Sequence, residues 1–145
     1  MEFQIKTFSE LTTAELYELI RLRAEVFVVE QDCVYLDLDN LDQQAWHIIG
    51  TENGEILAYA RILKPGDYYR EAMLGRIVTA KKARGKNYGR AIVKRGIEEI
   101  NKLYPESNIR IMAQSYLVKF YQAFGFIVAS EEFLEDGIPH IEMQL

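Results

Sequence analysis

LGRIVTAKKARGKNYGRAIVKR, residues 74–95, decides the fold of this chain. Ile77 and Val78 lie in a short run of β-forming residues, and Ala91, Ile92, Val93, Ile97 and Ile100 recur at helical spacing downstream. Between strand and helix runs a basic turn, Arg84 to Gly89. Gly85 and Gly89 let the main chain approach a ligand closely. A helix N-terminus offers unpaired N–H groups at the positive end of its dipole, and Lys81, Lys82, Arg84, Lys86 and Arg90 add charge. A pyrophosphate fits such a turn. It is not a P-loop, because Arg90-Ala91 stands where Lys-Ser/Thr must follow the last glycine, and its glycines lack the G-x-G-x-x-G spacing of dinucleotide-binding turns. Alone, the pattern also describes an ordinary solvated strand-to-helix turn, so the rest of the chain has to decide.

With 145 residues and 49% hydrophobic content, residues 1–145 are expected to form one domain with a real core. A formal net charge of -5 argues against general nucleic-acid binding, which needs a basic field. The single cysteine, Cys33, excludes an internal disulfide, and without a neighbouring His or Asn motif it is expected to be a small buried hydrophobe rather than a nucleophile. No secretory signal or long apolar run is visible, so a cytoplasmic protein that does not enter a membrane is expected. His47 and His140 lack metal-motif spacing, and no metal is expected.

Taken in order, Phe3 and Ile5 alternate with polar neighbours in an opening strand over residues 2–8. Ser9 or Thr12/Thr13 can cap a helix from about Thr13 to Val29, with Leu16, Leu19, Ile20, Val26 and Phe27 on its core face. The acids of the next segment, Asp32, Asp37, Asp39 and Asp42, are expected to be solvated, the alternative being a wall that receives a cationic substrate. Residues 45–50 and 55–63 read as two strands around Asn53-Gly54, a strong hairpin signal. Trp46, opposite in phase to His47, belongs to the core. Pro65-Gly66 ends the second strand and Pro105 ends the helix after the basic turn. A strand follows over 108–113, then a short helix over 115–124 with Phe120, Tyr121 and Phe124 near one face. Residues 126–135 and 138–145 form a closing hairpin turned at Asp136-Gly137, whose outer edge could pair with a second copy in a homodimer.

The element order resembles the GNAT superfamily of N-acetyltransferases, and two blocks carry the resemblance. Arg84-Gly85-Lys86-Asn87-Tyr88-Gly89 is similar to the signature [QR]-x-x-G-x-[GA], with Asn87 in place of the first signature glycine. Asn is the non-glycine residue that best tolerates left-handed backbone angles. Ala113-Gln114 through Tyr121-Gln122-Ala123-Phe124-Gly125-Phe126 is similar to the strand-to-helix element ending Y-x-x-x-G-F. Leu22-Arg23, Val26 through Gln31, Cys33, Tyr35, Asp39, Asp42, His47 and Asp136 through Ile141 look like the ElaA-like branch, which also tolerates a non-glycine in the loop.

The resemblance implies an α/β (α+β) fold: a mixed, mostly antiparallel central sheet of about six to seven strands flanked by helices and splayed at an acetyl-CoA site. It implies acetyl transfer to the primary amine of a small molecule or peptide by direct attack in a ternary complex. Carried over, the main chain of Ile77, Val78 and Thr79 would hold the acetyl and pantetheine part of acetyl-CoA. Arg84, Gly85, Lys86, Asn87, Tyr88, Gly89 and Arg90 would cradle the pyrophosphate, and Gln114 joins these donor-binding residues. Tyr121 matches the general acid, and Glu30, His47 and His140 are candidates for the base. Arg23, Phe27, Asp39, Asp42 and Ala60-Arg61-Ile62-Leu63 also resemble acyl-homoserine-lactone (AHL) synthases, a first alternative. A non-catalytic acyl-CoA sensor on the same fold is the second.

Overall fold

A computed structural model describes residues 1–145. Its strands are β1 (Glu2–Thr7), β2 (Trp46–Glu52), β3 (Glu55–Leu63), β4 (Ala72–Thr79), β5 (Ile109–Gln114), β6 (Ile127–Val128), β7 (Phe133–Glu135) and β8 (Ile138–Gln144). They form one sheet in the order β1-β2-β3-β4-β5-β8-β6, with β7 also paired to β8. The helices are α1 (Thr13–Arg23), α2 (Tyr88–Leu103) and α3 (Val118–Gln122).

β3 is apolar nearly throughout because both faces of the sheet are covered there. On one face α2 packs Ile92, Val93 and Ile100 against Ile48, Ala60, Ile62 and Leu74. Gly96 lets that helix come close, since a Cβ there would lie 2.6 Å from Leu74 Cδ1. On the other face Leu19, Leu22 and Val26 cover Ile49, Tyr59 and Val78.

Every strand pairing is antiparallel except β4 with β5, which are parallel and meet only at Ala72↔Ile109 and Met73↔Arg110. Beyond Met73 the two strands diverge. A cause is visible on the other edge of β4, where the pairing with β3 slips between Tyr59 and Arg61, so that β4 carries an extra residue. Arg76 sits in that bulge with φ 48°. A bulge bends and twists the strand that holds it, and here it turns β4 away from β5.

Three sequence expectations need correction. The first helix has nearly the expected extent and the expected cap, Thr12 Oγ1 accepting from Glu15 N–H at 3.0 Å. Its last part, Ala24–Glu30, winds as a π-helix, and Gln31 N–H reaches back to Val26 O at 3.1 Å. Such wide turns cluster at functional sites. The segment over 115–124 opens with a 3-10 turn at Ser115–Leu117 before α3 begins. The first strand of the closing hairpin is split into β6 and β7, because Ser130 Oγ takes up the Glu142 N–H at 2.9 Å where a ladder bond would stand. The sheet therefore counts eight strands, β6 and β7 standing where one was expected, in the mixed, mostly antiparallel arrangement the sequence implies.

Candidate active site

The divergence of β4 and β5 opens a cleft of about 850 Å³. Its size suits a ligand rather than a packing defect. One wall is β4 from Gly75 to Thr79; the other holds Gln114 at the end of β5, Tyr121 on α3 and His140 on β8, with Phe27, Glu30 and Gln31 above. Ala80 N–H donates to Leu57 O at 2.8 Å, so strand alternation turns the main-chain groups of Val78 toward β3 as well. Those of Thr79, and of Ile77 before it, turn toward the cleft, where Thr79 O accepts from Arg84 Nη2 at 3.4 Å. Val78 is corrected accordingly: its side chain is 4% exposed beneath α1 and does not line the cleft, whereas Ile77 and Thr79 do.

At one end of the cleft stands the basic turn. Gly85 and Asn87 both adopt left-handed angles, φ 84° and 63°, and Asn87 is the N-cap from which α2 starts. A Cβ on Gly89 would meet nothing nearer than Phe120 and Thr79 Oγ1, both at 3.9 Å, so its missing side chain serves no packing need of the protein and leaves the main chain approachable. Arg84, Gly85, Asn87, Tyr88, Gly89 and Arg90 line this end. Arg90 stacks over Phe120 at 5.9 Å. Lys86 stands between Gly85 and Asn87, its Nζ 5.9 Å from the centre of the Tyr88 ring.

Tyr121 lines the cleft at 6% exposure, edge-on to Phe120 and Phe126. Burial, helped by nearby Tyr116, pushes its ionisation up, so the O–H keeps its proton at neutral pH. His140 Nδ1–H donates to Ile138 O at 2.7 Å, which leaves Nε2 as the ring nitrogen with a free lone pair. Its ring stacks on Phe133. Glu30 takes an ion pair with Arg84, Oε2 to Nη1 at 2.6 Å, and so belongs to the basic turn. Gln31 Oε1 accepts from Gln114 Nε2 at 3.3 Å.

His47 is the base candidate that the structure removes. It is fully buried behind the cleft, Nδ1 2.6 Å from Tyr59 Oη and Nε2 2.9 Å from Asp42 O. Burial holds its pKa down, only partly offset by the hydrogen bond to the Asp42 carbonyl, and both nitrogens are committed.

The acids after the first helix are corrected too, since three of them are counter-ions rather than solvated or free to bind a cation. Arg23 and Arg61 are 0% and 2% exposed. Arg23 binds Asp37 Oδ2 and Asp42 Oδ1, both at 2.7 Å. Arg61 binds Asp39 Oδ2 at 2.8 Å and Asp42 Oδ1 at 2.9 Å. Buried guanidinium groups need such partners. Burial pushes Asp39 up, but the hydrogen bonds and charge of Arg61 outweigh it and hold the carboxyl at about 2. Asp42 is likewise held below the ordinary range by Arg23 and Arg61 against its burial. Arg61, Asp39, Arg76, Tyr35 and Tyr68 all reach the cleft; of these Arg76 and Tyr68 drew no attention in the sequence. Asp32 alone of the four acids is exposed.

No helix is long and apolar enough to cross a membrane. The sequence model for the acetyltransferase (GNAT) domain matches residues 8–145. Protein ElaA of Escherichia coli K12 is 41% identical over 145 residues, covering 99% of this chain and 95% of that protein. The crystal structure of E. coli ElaA superposes with a TM-score of 0.93 at 40% identity, covering 99% of each chain. An acyl-CoA N-acyltransferase from Pseudomonas aeruginosa gives a TM-score of 0.94 at 36% identity, over 99% of this chain and 97% of that one. The AHL synthase LasI shares the fold alone, at 16% identity with a TM-score of 0.78 over 99% of this chain and 88% of that one. The splayed strands, the left-handed basic turn and these matches along the whole chain agree, and the protein belongs to the GNAT acetyltransferase family, with ElaA among its relatives.

Proposed function

We propose that the protein transfers the acetyl group of acetyl-CoA to a primary amine of a small molecule or peptide, by direct attack in a ternary complex. The observation that carries this reading is the loss of β4–β5 pairing beyond Met73, which leaves a strand edge leading into the basic turn. A long acyl donor with an anionic middle matches that layout. Gly85, Asn87 and the start of α2, with Arg84 and Arg90, would hold its pyrophosphate; Ile77 and Thr79 would hold its pantetheine end by main-chain hydrogen bonds. Binding energy from the remote end then fixes the thioester beside Tyr121 and His140.

The amine nitrogen bonds to the thioester carbonyl carbon, and a β4 N–H facing the cleft donates to the developing oxyanion. As the C–S bond breaks, its electron pair leaves on sulfur, where Tyr121 O–H donates a hydrogen bond. A phenol near 10 is a weaker acid than a thiol near 8.5, so full proton transfer is uphill by roughly 2 kcal/mol even without burial. The buried hydroxyl therefore stabilises the thiolate by hydrogen bonding. His140 Nε2 accepts the proton that the amine nitrogen sheds once it has bonded to the carbonyl carbon.

Titration calorimetry with acetyl-CoA tests the donor. Binding by the wild type, weakened at least about tenfold in an Arg84→Gln/Arg90→Gln variant, is expected from the loss of two charge-assisted contacts. With an amine panel, Tyr121→Phe should lower turnover and leave donor affinity unchanged. A wild type that does not bind acetyl-CoA refutes the reading.

A further inference from the structure

Six non-glycine residues hold a left-handed backbone. Five are Asn or Asp outside the strands, where the short polar side chain eases that conformation. The sixth is Arg76, inside β4 at φ 48°. Arginine has no local means of relieving the strain, so other contacts must hold it there.

They come from the loop after the first helix. Arg76 Nε lies 2.8 Å from Asp37 Oδ1, a charge contact outside hydrogen-bond alignment, and Nη2 donates to Asp37 O at 3.0 Å and to Asp39 Oδ2 at 3.3 Å. Asp37 is 7% exposed and is itself fixed by Arg23 Nε at 2.7 Å and Tyr35 Oη at 2.8 Å. This carboxylate joins the end of α1, the loop and the β4 bulge in one cluster.

The bulge decides which main-chain groups of β4 face the cleft. With the extra residue at Arg76, Val78 and Ala80 turn toward β3 while Ile77 and Thr79 turn toward the cleft. Without it, the alternation beyond Gly75 would run in the opposite phase.

We propose that Arg76, clamped by Asp37, is a positioning residue for acyl transfer: it holds the bulge that presents the Ile77 N–H to the thioester carbonyl. This rests on the acetyl-CoA reading above. Arg76 touches the loop carboxylates rather than the reacting atoms, and acts through the strand.

The experiment is isotope-edited infrared spectroscopy of acetyl-CoA carrying 13C at the thioester carbonyl, bound to wild type, Arg76→Gly and Arg76→Lys, with calorimetric affinities alongside. Glycine accepts the left-handed angle without strain but loses the clamp; lysine keeps the charge but cannot span both Asp37 oxygens. The wild type is expected to shift the carbonyl stretch to lower frequency than in free acetyl-CoA. The glycine variant should lose most of that shift and bind acetyl-CoA more weakly, because the same bulge aims the Ile77 and Thr79 main chain at the pantetheine; the lysine variant should keep part of the shift, and methylguanidinium should restore it to the glycine variant. A wild-type shift in either variant overturns the inference and leaves the acetyl-CoA reading standing. Absence of acetyl-CoA binding by the wild type overturns both. Should the glycine variant fail to fold, the lysine variant decides: a reduced shift supports the clamp and an unchanged one overturns it.

Discussion

Asp42→Asn probes the charge cluster that stands behind the cleft. Asp42 is 5% exposed, and its Oδ1 accepts from Arg23 Nη1 at 2.7 Å and Arg61 Nη1 at 2.9 Å. In the native protein the carboxylates of Asp37, Asp39 and Asp42 balance the guanidiniums of Arg23, Arg61 and Arg76. Asparagine keeps the shape and an acceptor oxygen, but leaves one buried positive charge without its counter-ion. Removing one partner of a buried pair costs about 3–5 kcal/mol, and the retained amide oxygen places this variant near the lower end. At about 2–4 °C per kcal/mol for a chain of this size, Tm should fall by roughly 6–12 °C. Urea unfolding at pH 7, followed by circular dichroism, reads the same loss as a lower midpoint at unchanged slope. Adding Arg61→Met should recover part of the loss, because the remaining charges balance again. A loss below about 1 kcal/mol would refute the reasoning, since that is the scale of pairs open to water.

Acid should undo the same cluster over a defined window. The Asp39 carboxyl lies at about 2 when folded, below its ordinary value near 3.9, so its contribution is complete above about pH 4 and is lost as pH falls toward 2. The urea midpoint measured against pH should drop across that window, and less steeply in Asp39→Asn. Asn87→Gly should leave acetyl-CoA affinity equal or tighter, because glycine takes φ 63° freely and Asn87 makes no side-chain cap bond, whereas Asn87→Val should cost about 1–2 kcal/mol in urea unfolding and weaken donor binding. Gly96→Ala should destabilise by about 1–3 kcal/mol in the same assay, since the new Cβ would fall 2.6 Å from a Leu74 methyl that is fully buried.

The basic turn was legible in the sequence because its determinants are local: Gly85, Asn87 and Gly89 sit within one turn of a strongly periodic helix, and only residues suited to left-handed angles occupy 85 and 87. Tyr121 is legible through the block ending Y-x-x-x-G-F and His140 lies in the ElaA-like stretch Asp136 to Ile141, and both reach the cleft. The bulge at Arg76 was not legible, because strand phase is set by pairing with β3 and its clamp, Asp37, lies far upstream. His47 was misjudged for a related reason. β2 is covered on both faces at Ile48 and Ile49, so alternation could not say which neighbour meets solvent or ligand. The arginine cluster did leave a signal. Arg23 falls one turn after Leu19 on the apolar stripe of α1, and Arg61 interrupts the apolar run Ala60 to Leu63; a charge in either place requires buried counter-ions, which the following loop supplies.

The two-residue contact between β4 and β5 makes the sheet mechanically a pair of leaves, β1 to β4 and β5 to β8, sewn together at one corner. A donor running along β4 would supply the missing rungs from a molecule outside the chain. Ligand present at a hundred times its dissociation constant adds about 2.7 kcal/mol to the unfolding free energy. Part of that gain should register as slower amide exchange at Ile77 and Thr79, whose strand has no neighbour on that edge. The acyl donor would then be, in structural terms, a removable strand, and filling the cleft and knitting the leaves together would become one event read by two methods.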